Sequence, residues 1–305
     1  MESKQTRRFW LLGALATGLM LTGLFLFLTD DLRPVHLTSA QSYRSEWAVT
    51  ALDNASQAKL NAILNQPFSY LGEGGQSIVF VSEDHRYVLK LFKFRRFRPS
   101  LFVHLLPDSL FHSYRQKHQA KREQKLFLAF SGHKLAYENH RQESGLVFIQ
   151  LNPSPIEQRV SLTDKWGFTR SIDLEKTSYV IQEKGDMLSE ALSRLLDQGD
   201  LATAQKRIQQ LFDLYLSEYK KGIYDIDHGV MHNIGCVGDH LIHLDVGKMV
   251  RDERMTHPAF YKEDLGKIAL KVKAWLHRHY PRYEDQLSQE IEERLRSIDM
   301  NSKED

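Results

Sequence analysis

Cysteine is almost absent: Cys236 is the single thiol in 305 residues. An intrachain disulfide is therefore impossible, and a zinc site built from clustered cysteines is excluded. Net charge is small as well, +2 with neutral histidines. The molecule as a whole carries no field of the kind that gathers nucleic acid, and no nucleic-acid partner is expected. Internal repeats and low-complexity stretches are missing too. What remains is ordinary for a folded protein, with 42% hydrophobic and 26% charged residues. The length allows one large domain or two small ones.

A further absence is local. Phe9 to Leu28, FWLLGALATGLMLTGLFLFL, contains no charged residue. A helix of this length covers roughly the 30 Å of a bilayer's hydrocarbon core. A buried helix of a soluble protein would show a polar face, and this run has none. Lys4, Arg7 and Arg8 precede it; Asp30 and Asp31 follow. A cleaved signal peptide is the competing reading, but its apolar region would be shorter and a small-x-small site would follow closely. The nearest such site, Thr38-Ser39-Ala40, lies far from the run. The expectation is a membrane protein with a single-pass N-terminal anchor: a basic flank over 1–8 and a transmembrane helix over 9–28. The flanking charges favour a cytoplasmic N-terminus with the remainder on the other side.

A connector over 29–66 ends in a short helix patterned by Ala51, Leu52, Ala55, Leu60, Ile63 and Leu64. From Pro67 the chain reads as strands and tight turns. Ile78–Val81 and Tyr87–Leu89 are β-rich runs around the turn Glu83–Arg86, and Leu146–Leu151 and Tyr179–Gln182 are further strands. Between the last two lies an insertion, 152–175, with a hairpin at Asp164–Phe168. Helices then dominate. Leu201, Ala204, Ile208, Leu211, Tyr215 and Tyr219 form one buried stripe. Leu265, Ile268, Val272, Trp275 and Leu276 form another, stopped by Pro281; Leu287, Ile291 and Leu295 mark a last helix. Between the first two stripes lies Gly222–Gly247, a polar loop rich in Asp and His, then Asn233, the alternating run Leu241–Leu244 and Asp245-Val246-Gly247.

Four of these stretches, in this order, resemble the protein-kinase-like superfamily. Leu71-Gly72-Glu73-Gly74-Gly75-Gln76-Ser77-Ile78-Val79 is similar to its glycine-rich loop, G-x-G-x-x-G-x-V between two strands. Gly72, Gly74 and Val79 match, and Ser77 takes the third glycine position. Val88-Leu89-Lys90 is similar to V-A-I-K, with Lys93 the nearest rival lysine. Asn233 and Asp245, twelve residues apart, stand as the catalytic-loop Asn and the DFG Asp do, with Val246 as the one departure within D-x-G. The resemblance runs from about Phe68 to Val250.

The resemblance implies an α+β, kinase-like two-lobe fold after the membrane helix. Its N-lobe, 67–184, would be an antiparallel sheet; its C-lobe, 185–300, would be helical, with a tail at 301–305. It implies ATP and Mg²⁺ as cofactors between the lobes. Gly72, Gly74, Ser77 and Val79 would surround the phosphates. Lys90 would pair with them, held by a carboxylate of the following helix, Glu123 or alternatively Glu138. Backbone near Gln182 would meet the adenine, and Asn233 and Asp245 would hold Mg²⁺. Five residues before Asn233 the family's base position is His228; Asp227, one residue further away, is the preferred catalytic carboxylate. The Arg of H-R-D and an A-P-E segment are missing, and 58 residues follow Gly247, so the C-lobe is abbreviated. The implied activity is phosphoryl transfer to an unknown hydroxyl acceptor on a protein, sugar or lipid. The alternative is a membrane-tethered pseudokinase that binds a nucleotide or a protein, and a third is an α+β protein whose glycines and D-x-G are only turns. The resemblance also conflicts with the charge bias around the membrane helix, because ATP is cytosolic; the side of the folded domain stays open.

Two further clusters have local readings. His228, His232 and His243 fit no zinc-ligand spacing. The basic region 93–125, with Arg95, Arg96, Arg98, Arg115, Lys117, Lys121, Arg122 and Lys125, is either a solvated face or a contact for anionic lipid headgroups or an anionic substrate.

Overall fold

The computed structural model of the chain describes residues 4–29, 32, 37–38, 43–98, 103 and 107–301. Parts of the expected basic flank, connector and tail lie outside them. The first helix, α1, runs Lys4–Thr29 and contains the uncharged stretch. Its described side chains, Trp10 and residues 12–24, are all exposed. Among the described residues no helix is long and apolar enough to cross a membrane, so the expectation of a transmembrane helix over 9–28 finds no support there.

The fold is mixed α+β. Helix α2, Asn54–Leu64, starts where Asp53 accepts a hydrogen bond from the Ser56 N–H (2.7 Å) and buries Leu60, Ile63 and Leu64. Strands β1 (Phe68–Glu73), β2 (Ser77–Ser82) and β3 (Tyr87–Phe92) form a meander. Helix α3, Asp108–Asn139, follows, then β4 (Leu146–Gln150), β5 (Arg159–Thr163), β6 (Thr169–Asp173) and β7 (Tyr179–Glu183). The seven strands form one sheet in the order β4-β7-β3-β2-β1-β5-β6. Its neighbours are antiparallel except for β1 and β5, which run parallel through Phe68–Leu162 and Ser69–Thr163. The expected antiparallel N-lobe is corrected at this one seam. The insertion folds as the β5–β6 hairpin and extends the sheet past β1, the edge a minimal meander would leave open.

The two faces of the sheet are covered differently. Leu60, Ile63 and Leu64 of α2 lie on one face with Phe68, Phe80, Leu89, Leu162 and Ile181, joined by Leu32 and Leu37 from the connector. On the other face Leu126, Ala129, Phe130 and Ala136 of α3 meet Phe92, Ile149 and Val180. Val246, the middle residue of D-x-G, is buried in this second cluster.

The second half of the chain is mostly helical. A two-residue strand, β8 (Asp186–Met187), leads into α4 (Leu188–Asp197) and α5 (Leu201–Tyr219). Strand β9 (Ile223–Asp225), the single turn α6 (Val230–Asn233), β10 (Ile234–Val237), β11 (His240–His243) and β12 (Met249–Arg251) carry the polar stretch. Helices α7 (Pro258–His279) and α8 (Pro281–Asn301) close the chain. The stripes read from sequence meet in one core, where Ala204, Ile208, Leu211 and Tyr215 face Leu265, Ile268, Val272, Leu287 and Ile291.

Candidate nucleotide and phosphotransfer site

Three backbone features bring the site together. The Gly72–Ser77 stretch is the tip of the β1–β2 hairpin, with a bulge between Tyr70 and Gly72 and a Gly74 N–H to Ser77 O bond of 2.9 Å. A Cβ added at Gly72, Gly74 or Gly75 would meet nothing within 4 Å, so the space above the tip is open. Next, β9 pairs with β12, Met249 opposite Asp225, which holds the loop before Asn233 beside the loop containing Asp245. Finally the Leu244 N–H donates to Asn233 O (2.6 Å) and fixes those loops together.

Lys90 lies in the middle of β3, between Val79 on β2 and Val180 on β7. Its Nζ donates to the Leu244 carbonyl at 2.5 Å, one residue before Asp245. Burial lowers the ammonium's pKa, and the Asp245 charge works in the other direction. For Asp245, burial alone would raise the carboxyl. Lys90, the Gly247 N–H (3.0 Å), His133 and Lys248 outweigh it and hold the group below its ordinary value. Asp245 is therefore a carboxylate at neutral pH, the form that binds a hard cation.

Asp227 and Asn233 share the neighbouring loop. Asp227 Oδ2 accepts from Lys248 Nζ at 2.7 Å, and both side chains are partly exposed. That contact raises the Lys248 pKa. The Asn233 amide faces the Asp227 carbonyl at 3.4 Å and also abuts Gly229, where a Cβ would come within 2.6 Å of its nitrogen. His228 is turned away from this role: its Nε2 lies 2.8 Å from Asp264 Oδ1, and Asp264 also accepts from the Tyr219 hydroxyl at 2.8 Å. The His228 ring thus anchors the loop to α7.

Glu123 is not brought to Lys90. It is on the exposed side of α3 and accepts from Gln119 at 3.0 Å. Glu138, the alternative, pairs with Lys134 at 3.7 Å. The face of α3 that meets the site presents Gly132 and His133 instead. A Cβ on Gly132 would lie 2.6 Å from Val246 O, so only glycine lets the helix approach D-x-G this closely. His133 is buried; its Nδ1 is 2.7 Å from Ala129 O, and burial lowers its pKa. With Nδ1–H donated to that carbonyl, a neutral ring keeps Nε2 as an acceptor. Gln182 also departs from the expected surroundings. Its side-chain amide points inward, donating to Ser144 O (2.6 Å) and His243 O (2.8 Å). The next two N–H groups are already donated, Glu183 to Gly145 O and Lys184 to Arg86 O.

Beyond the expected set, the fold places several further residues here. Lys93, the rival of Lys90, reaches Glu73 Oε2 (2.6 Å) and Gly74 O (3.3 Å) and so braces the glycine-rich tip. Gln76 reaches toward Gly247 from the same tip. Lys248, adjacent to D-x-G, and Gly132, a glycine inside a long helix, both carried a visible signal. His133 carried none.

The residues fit Mg²⁺ and a nucleotide in donor type: Asn233 and Asp245 offer oxygens, and Lys90 offers an ammonium of which one of three donors is engaged. No family model matches the sequence, and no curated protein sequence matches it. Solved structures of WbdD are similar in part. A 2.2 Å crystal structure of WbdD aligns with TM-score 0.34 and 16% identity over 77% of this chain and 47% of that one. A co-crystal of WbdD with the kinase inhibitor LY294002 gives 0.32 and 14% over 74% and 45%. A structure described as the bifunctional kinase-methyltransferase WbdD gives 0.32 and 15% over 72% and 43%. The chain thus spans less than half the length of these structures, and a likeness this small supports no function by itself.

Proposed function

We propose that the chain is a membrane-tethered, ATP- and Mg²⁺-dependent phosphotransferase of protein-kinase-like fold, acting on a hydroxyl acceptor. The observation that carries this is the approach of Lys90 from the sheet to the Leu244–Asp245 segment, 154 residues later in the chain. Bound Mg-ATP would supply the transferable phosphoryl group and neutralise charge on its oxygens. Lys90 would move from the Leu244 carbonyl to the phosphate oxygens. Asn233 and Asp245 would hold the metal. Asp227 would accept the hydroxyl proton of the acceptor while Lys248 keeps its carboxylate oriented. Gly72, Gly74 and Ser77 would let backbone approach the phosphates, and Val79 would lie beneath the base.

The anchor belongs to the same proposal. The uncharged stretch lies wholly within α1, and its described apolar side chains have no protein cover. The exposed basic residues of the 93–125 region, Arg95, Arg96, Lys117 and Lys121, would then face anionic lipid headgroups.

The test is Mg²⁺-dependent ATP turnover by the full chain in detergent micelles, compared with Asp245→Ala and Lys90→Met. Turnover in the wild type that is lost in both variants is expected. Equal residual rates in all three overturn the proposal. The placement of Glu123 and Glu138 away from Lys90 favours one second reading, a nucleotide-binding scaffold without turnover. On that reading Mg-ATP at ~100 times its dissociation constant stabilises the fold by about 2.7 kcal/mol while no phosphate is released.

A further inference from the structure

Behind the Leu244–Asp245 segment three side chains from three elements converge. His140 caps the C-terminus of α3, Glu218 sits in the last turn of α5, and His243 ends β11. All three are completely buried. One ligand atom from each lies within 4.8 Å of the other two. His140 Nε2 is 3.8 Å from Glu218 Oε1, and that oxygen touches His243 Nε2. His140 Nε2, both Glu218 oxygens and both His243 nitrogens lack a satisfactory hydrogen-bond partner.

A bare ion pair leaves much of this unaccounted for. A proton on His243 Nε2 satisfies one Glu218 oxygen. His140 Nε2 and the second oxygen stay unpaired, and buried polar atoms left without a partner are destabilising. One divalent ion would take lone pairs from all three groups. We infer that His140, Glu218 and His243 form a buried metal site for a divalent transition metal of the zinc class. Two imidazoles and one carboxylate, without thiolate, are a donor set that zinc accepts, with water as a fourth ligand.

The surroundings suit this role. For His140 to present Nε2, its Nδ1 must carry the proton. Glu143 Oε2, 3.5 Å from Nδ1, can receive it, while Glu143 Oε1 accepts from Lys221 at 2.5 Å. Lys221 Nζ also stands 3.2 Å from Nδ1, a contact that this tautomer gives up. Tyr215 packs its ring edge-on against His243 at 5.3 Å, and its buried hydroxyl likewise has no partner. Ligands around zinc stand roughly 3.3 Å apart, so binding requires the Glu218–His243 pair to open slightly. The His243 backbone is already fixed by bonds to Glu143 O and from Gln182 (both 2.8 Å). The ion would thus tie α3, α5 and β11 together immediately behind Asp245. This inference stands independently of the phosphotransfer reading.

The experiment uses the full chain without a histidine tag, solubilised in detergent. Metal content is measured by plasma mass spectrometry, and the melting temperature is followed before and after chelation and after addition of zinc alone. Expected are about one zinc per chain, a lower Tm on chelation, its recovery with zinc, and visible d–d bands when cobalt replaces zinc. His140→Ala and Glu218→Gln abolish the metal, and Glu143→Gln weakens zinc affinity roughly 10–100-fold. His279→Ala, an exposed histidine of α7, leaves it intact. A wild-type chain that carries no metal and shows neither a Tm shift with zinc nor a cobalt spectrum overturns the site, and this arm needs no variant to fold.

Discussion

Asp225 shows how far burial, helped by the nearby Glu218 and Asp245 charges, moves a group next to the site. Its Oδ1 accepts from the Asp227 N–H at 2.8 Å, while Oδ2 is buried without a partner. Burial pushes its carboxyl from 3.8 up to about 7, against the opposing pull of the Asp227 N–H and His243. Between those values the folded chain keeps a proton that the unfolded chain has released. This group's contribution to stability is therefore full below pH 3.8, declines as pH rises toward about 7 and is flat above it. Asp225→Asn removes that slope. Melting temperatures measured from pH 5 to pH 8 should fall less steeply in the variant than in the wild type; parallel curves would show that the carboxyl is ionised throughout. The neighbouring Asp245 has the opposite sign, held charged by Lys90 and its other partners. Two nearby carboxyls, one ending β9 and one in D-x-G, are thus pushed in opposite directions by their surroundings.

At the scale of elements, α3 meets D-x-G in one of the close contacts of the site. Gly132→Ala places a methyl 2.6 Å from Val246 O and near 3.0 Å from Gly247 C. Neither is a flexible side-chain end, so the helix or the loop must move. Urea unfolding should show a loss of about 1–3 kcal/mol, the usual cost of overpacking. Stabilisation by Mg-ATP should fall as well; an unchanged midpoint would mean that the helix can shift freely. The same contact explains what the sequence revealed and what it withheld. Lys90, Asn233 and Asp245 were legible because local motifs occur in a fixed order. The buried stripe of α5 was legible because its period is intrinsic to a helix. The partner of Lys90 was not. Choosing Glu123 required knowing which face of a long helix meets the sheet, and tertiary packing decides that. The β5–β6 hairpin was visible locally, but its parallel seam with β1 joins residues about ninety positions apart. The inferred metal cluster had no pattern at all, since its three side chains come from three different elements.

For the whole molecule, the described connector residues Leu32, Leu37 and Thr38 pack into the folded domain. Leu32 and Leu37 are buried with Leu60, Phe68 and Leu162. Thr38 bridges Thr177, and its carbonyl accepts from Arg98 at 3.0 Å. A chain starting at residue 45 loses both leucines, each worth about 1.5–3 kcal/mol when buried. A chain starting at residue 29 keeps them. Their urea midpoints should differ clearly, with the shorter chain less stable; equal midpoints would show that the connector only rests on the sheet.

That docking sets a leash. From Thr29, where α1 ends, to Leu32, already inserted in the core, the polypeptide can extend by only ~11 Å. On the proposed anchoring, the catalytic cleft cannot roam at the end of a floppy stalk. On that reading it would travel in the plane of the bilayer at a near-constant height, and its acceptors would be selected by where their hydroxyls ride above the lipid as much as by their chemistry.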